Sequence, residues 1–164
     1  MSKAASRRAV SFSRKSRHLG FSSEAAVSAG AEIINDISGL RWDERLADVA
    51  AQTKTAIVLM HSRGPFEAMH SQEPVADIFE DVRVDFQWSI LTAISAGILR
   101  ENIALDIGIG FGKTLEQNLA LIGRLDEIIS EFPGIPVLVG ASRKSFIGKL
   151  TGGVSADQRL GGSL

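Results

Sequence analysis

Four short apolar segments of the chain run directly into residues that can bind a ligand or do chemistry. The first ends in Asn35 and Asp36, the second in His61 and the third in Asp106. The fourth ends in Gly140, followed by Ser142, Arg143 and Lys144. A carboxylate that closes an apolar run is costly to bury unless it is paired. Asp106 therefore needs either Lys144 or a ligand presenting N–H donors. His61 reads more simply as a satisfied rim histidine than as a catalytic one. Asn35 and Asp36 can equally well cap the turn that follows their strand.

The loop after Asp106 runs Gly108-Ile109-Gly110-Phe111-Gly112-Lys113-Thr114. It meets neither nucleotide fingerprint. Ile107 stands where a Walker A loop needs glycine, and Lys113 stands where a dinucleotide loop needs its third glycine. The loop instead offers backbone that can pass close to a flat ligand, with Phe111 over or beside it. In ASRKSFIG (141–148), Ser142 is placed to cap a following helix whose first N–H groups point outward. Arg143 and Lys144 add two charges there, a pattern that suits phosphate or carboxylate. The chain has no HExxH, no paired histidines and no cysteine. No complete metal site is expected from these residues, and disulfides and cysteine nucleophiles are excluded.

The polar ends need elements to hold them. Residues 31–36, 55–61, 102–108 and 135–142 are nearly continuous in apolar residues, as parallel strands buried on both faces are. Between them, residues 43–53, 75–98 and 115–131 carry apolar residues at three- and four-residue steps. Thr114 and Gln117 form a capping-box pattern at the start of the last, and Pro133, Gly134 and Pro136 end it. Strand and helix alternate, which predicts an α/β fold on a parallel sheet. An open doubly wound sheet and a (β/α)8 barrel are the candidates; four strands are too few for a barrel, and both architectures bind ligands at the carboxyl ends of their strands.

The 164 residues suit one domain. The net charge of −1 conceals an asymmetry. Residues 1–23 carry six basic residues and no acid, while the rest holds 12 basic and 19 acidic residues. The expected division is a Ser/Arg-rich, unstructured or non-native extension over 1–23 and a folded domain over 24–164. The acidic body argues against nucleic acid as a partner. No apolar run is long enough for a membrane helix.

Together the motifs resemble the dihydropteroate synthase family of pterin-binding enzymes. The resemblance is carried by AEIINDISGL (31–40), IVLMH (57–61) with the following RGPFEAM, ALDIGIGFGKTLEQN (104–118), LVGASRKSFIG (138–148) and RLGGSL (159–164). It covers roughly residues 25–164, in family order. It implies a TIM barrel that condenses a dihydropterin methyl pyrophosphate with p-aminobenzoate in folate biosynthesis, releasing pyrophosphate. It makes Asp106 and Lys144 the catalytic pair. Asn35 and Asp106 would hydrogen-bond the pterin, with Ile37 and Met60 lining its slot. Phe111, Ser142 and Arg143 would shape the p-aminobenzoate site, and Gly110 is a further substrate-binding residue. The resemblance also implies Mg2+, a homodimer and a cytoplasmic location.

Only about four of the eight βα units of a barrel have counterparts here. The motif that carries the magnesium ligand has none, and Ile107 stands where the family usually has proline. The expected fold is therefore a partial TIM barrel. Its open edges and half-filled interior layers predict low solubility alone, self-association and loss of activity in the monomer. A non-catalytic pterin-binding remnant and an inert pseudogene product are the alternatives.

Overall fold

The computed structural model describes residues 8–12, 19–64 and 73–160. Five parallel strands form one sheet: β1 (Ala9–Phe12), β2 (Ile33–Asp36), β3 (Ala56–Met60), β4 (Ile103–Asp106) and β5 (Val137–Leu138). The helices are α1 (Leu19–Ser28), α2 (Arg45–Thr53), α3 (Ile78–Ser95), α4 (Leu115–Gly123), α5 (Leu125–Glu131) and α6 (Ser145–Leu150). None of the described helices is long and apolar enough to cross a membrane.

Spatial order follows chain order, β1-β2-β3-β4-β5. Parallel crossovers are right-handed, so an order without reversal carries every helix to the same face. A doubly wound sheet reverses its order at a switch point and covers both faces. The molecule is thus an arc of a (β/α) barrel, and the open-sheet alternative falls away.

Register sorts the strand residues onto two faces, because successive side chains alternate. On one face Ile34, Ile57 and Ile103 form a row, and Asp36, Leu59 and Leu105 form the next. All six are at most 2% exposed. The five apolar members join Leu46, Ala50, Val82, Phe86 and Ile90 of α2 and α3 in the main core. Each such side chain stabilises by roughly 1.5–3 kcal/mol when fully buried. The opposite face carries the rows Asn35–Val58–Ala104 and Met60–Asp106–Leu138. Val58 and Met60 are buried but stand outside that core, and Leu138 is 45% exposed. This second face is the concave one.

Two expectations change. Residues 1–23 were expected to lack structure, yet Ala9–Phe12 pair with β2, and Leu19–Ser28 are helical. The amides of Glu32 and Ile33 donate to Arg8 O at 2.8 and 3.2 Å. A four-residue strand among basic residues has no pattern of its own; its ladder comes from β2. Residues 1–7 and 13–18 lie outside the described residues. The single helix expected over 115–131 is two, broken at Arg124 (φ −124°, ψ 33°) after Gly123. Arg124 is held there by Glu127 at 2.6 Å and by the face of Phe79. The Thr114–Gln117 capping box is formed as expected.

The loops after β3 and β4 touch closely. His61 N–H donates to Asp106 O at 2.9 Å, and Gly108 passes beside the His61 carbonyl. Gly108 has φ +62°, and a Cβ there would lie 1.9 Å from His61 O. Gly108→Ala should therefore cost about 2–4 kcal/mol, from strain and overlap together. Gly123 has open space around it and no positive φ, so Gly123→Ala should be neutral or stabilising. Urea midpoints of the two variants measure the contrast, and equal midpoints would contradict it.

Candidate functional site

Strand alternation divides each polar strand end between two tasks. Asp36 points to the helix side and caps its loop. It accepts from Ser38 N at 2.9 Å, Ser38 Oγ at 2.7 Å and Leu40 N at 2.6 Å. Burial raises its carboxyl above the usual range against these bonds. Asn35 lies on the concave side, half-buried, in the row of Val58 and Ala104. His61 likewise belongs to the helix side and Met60 to the concave side. Ile37 is buried just beyond β2, and its carbonyl accepts from Ser62 Oγ at 2.7 Å.

Asp106 ends β4 on the concave face, 6% exposed. Its Oδ1 accepts from Gly108 N at 2.8 Å. Burial raises its carboxyl above the ordinary value, while the Gly108 amide, Lys144 and Lys113 pull it down. A Cβ on Gly140 would come within 3.9 Å of Asp106 Oδ2, so the end of β5 lies beside the carboxylate. Gly110 (φ +83°) passes close to the Lys144 stem. Lys144 Nζ sits 4.0 Å from the centroid of the Phe111 ring, a cation–π contact. Burial lowers the Lys144 amine, and Asp106 opposes that. Asp106, Gly110, Phe111, Gly140 and Lys144 thus meet at one rim. An acceptor, a cation and an aromatic face there suit a planar ligand with N–H donors.

Ser142 and Arg143 do not join that cluster as expected. Both are exposed. The N-cap of α6 is Lys144, without a side-chain cap, so Ser142 does not cap the helix. Arg143 adopts φ +57° in a turn, and its Nε donates to Ala156 O at 3.3 Å. Arg159 donates to the Arg143 carbonyl at 3.1 Å. The six-residue helix begins too late for the proposed cap.

Several residues beneath the rim carried no recognised sequence signal. Asn118, 2% exposed, accepts from Gly110 N at 2.7 Å and donates to the carbonyls of Lys113 and Thr114. Lys113 Nζ donates to His61 O, Gly108 O and Phe111 O at 3.2, 2.9 and 3.2 Å. Burial pushes its amine down to about 7, against the pull of Asp106, Asp81 and Asp85. Arg63 donates to Gly112 O and Glu73 O. The glycine spacing marks a loop that can pass close to a flat ligand; that these side chains bond its backbone is visible only in three dimensions.

His61 is 1% exposed, with Nε2 3.2 Å from Asp81 Oδ2 and its ring edge-on to Phe86. Its Nδ1 has no hydrogen-bond partner among the described residues. Burial pushes it down to about 4, so it is neutral at pH 7 and serves the support of the rim. An unfolded histidine protonates near 6.5. Between about 6.5 and 4 the unfolded chain binds the extra proton, and stability falls as pH drops, by roughly 3 kcal/mol. Asp85, raised to about 6 by burial, works oppositely: its contribution is present below the ordinary carboxyl value and lost as pH rises through 6. His61→Gln should therefore lose less stability than the parent on going from pH 7 to pH 4 in urea titrations. Parallel curves would refute this.

The family described as pterin binding enzyme matches residues 22–164. The dihydropteroate synthase of Synechocystis is 42% identical over 138 residues, covering 84% of this chain and 47% of that protein. The Thermus thermophilus dihydropteroate synthase, solved in complex with 6HMPPP, superposes with a TM-score of 0.84 at 38% identity; the match covers 96% of this chain and 59% of that one. The same enzyme with 4-aminobenzoate gives 0.85 at 39% identity, covering 96% and 58%. The chain spans about half the length of these relatives. On both sequence and fold, the chain belongs to the pterin binding enzyme family.

Proposed function

We propose that the rim at Asp106 and Lys144 is a pterin and p-aminobenzoate site, and that the protein acts as a dihydropteroate synthase. The observation that carries this reading is the meeting of Asp106, from β4, with Lys144, from the turn before α6, beside Phe111 and the glycine loop. Asp106 and Asn35 accept and donate along the pterin edge, with Met60 and Ile37 against its faces. Phe111 borders the aromatic amine. The amine nitrogen bonds to the pterin methylene carbon as the carbon–oxygen bond to pyrophosphate breaks, and the amine gives up a proton. The methylene becomes cation-like as pyrophosphate leaves, and the nearby carboxylate stabilises that charge. Holding both substrates in line supplies the rest.

Among the described residues no group of three His, Asp or Glu side chains could hold a metal ion; a magnesium ion in this reading would be carried largely by the substrate's pyrophosphate oxygens. The lack of cysteine suits a reducing compartment, and a cytoplasmic location completes this reading.

Asp106→Asn and Lys144→Ala should each weaken binding of the dihydropterin pyrophosphate about tenfold or more, since each removes a charged contact. Titration calorimetry on the chain measures this, and unchanged affinity in both variants would overturn the site. Turnover with both substrates, with Lys144→Ala alongside to expose host enzyme, separates an enzyme from a binding remnant. Product from the parent alone supports the synthase; binding without product supports the remnant.

A further inference from the structure

We infer that Lys113 is a positioning residue: its ammonium is a tethered internal cation that gathers three backbone carbonyls and holds the glycine loop in its site-forming shape. The functional half of this inference rests on the pterin reading; the structural half does not.

Gly108, Gly110 and Gly112 all have positive φ, at +62°, +83° and +69°. These turns aim the carbonyls of Gly108 and Phe111 inward, toward the His61 carbonyl at the end of β3. Converging carbonyl oxygens repel one another unless a donor or cation lies between them. Lys113 Nζ lies there, within 3.2 Å of all three. Three donors on one ammonium match three acceptors. Among the described residues Lys113 makes no direct ion pair. Its charge is balanced at longer range by Asp106 on β4 and by Asp81 and Asp85 on α3, with Arg63 opposing.

The same loop places two groups at the rim. Gly108 N–H is aimed at Asp106 Oδ1, and Phe111 carries the ring under Lys144. The two lysines thus differ in role. Lys144 faces the site, while Lys113 works from behind and reaches the substrate only through the loop. Asn118 ties the far side of the loop through Gly110 N, so Lys113 governs the near side, at β3.

The test compares Lys113→Ala with Lys113→Met in the full chain at pH 6, where the parent amine is protonated. Amide hydrogen exchange is read by mass spectrometry over residues 107–113, with β2 and β3 peptides as internal references. Both variants should lose protection in the loop, by about tenfold or more, while the strands keep theirs. Methylammonium chloride should restore protection to Lys113→Ala, which has room for it, and not to Lys113→Met; sodium chloride at equal ionic strength should restore neither. Pterin affinity should fall and recover with loop protection. A loop as protected in Lys113→Met as in the parent would overturn the inference. Loss and rescue of loop protection without any pterin binding would uphold it and reject the pterin reading instead.

Discussion

Five parallel strands wound in one direction leave one sheet face to the helices and turn the other to the concave side. Every other feature of the site follows from that constraint. Neighbouring residues are forced apart in function: Asp36 caps a loop on the helix side while Asn35 faces the concave side. His61 is sealed against Asp81 and Phe86, while Met60 lines the concave row with Asp106. Polarity at a strand end is therefore a poor guide to role; parity along the strand decides it.

The second constraint is the contact between the loops after β3 and β4. Gly108 passes so near the His61 carbonyl that no side chain fits. The backbone at this point is bonded from every side: by the Asp106 carboxylate, by Asn118 and by the Lys113 ammonium. Carboxylates and amines held in such a place shift toward their neutral forms, because burial disfavours charge. Asp106 rises, and Lys113 and Lys144 fall. The rim thus presents few, strongly oriented groups rather than a broad charged surface.

Much of this was legible in the chain. Four apolar runs announced β2 to β5, because strands buried on both faces need unbroken apolar sequence. Thr114 and Gln117 announced the start of α4, because a capping box is a local interaction. β1 was not legible, since four residues among arginines form a strand only when β2 offers its edge. Nor was the break at Arg124, which depends on Phe79 and Glu127. Ser142 looked like a cap, but the turn through Arg143 delays the helix to Ser145.

The sequence by itself determined the alternation of strand and helix, the glycine loop, and the identity of the carboxylate and lysine at the rim. These are short-range patterns, and composition and spacing carry them. Tertiary structure alone decided that the sheet winds one way and which face each strand-end residue takes. It also decided that Lys113 points inward while Lys144 rests on Phe111. Those outcomes depend on contacts between residues tens of positions apart, such as His61 with Gly108 and Asp106 with Gly140. No local pattern encodes such contacts, because packing between separate elements sets their distances.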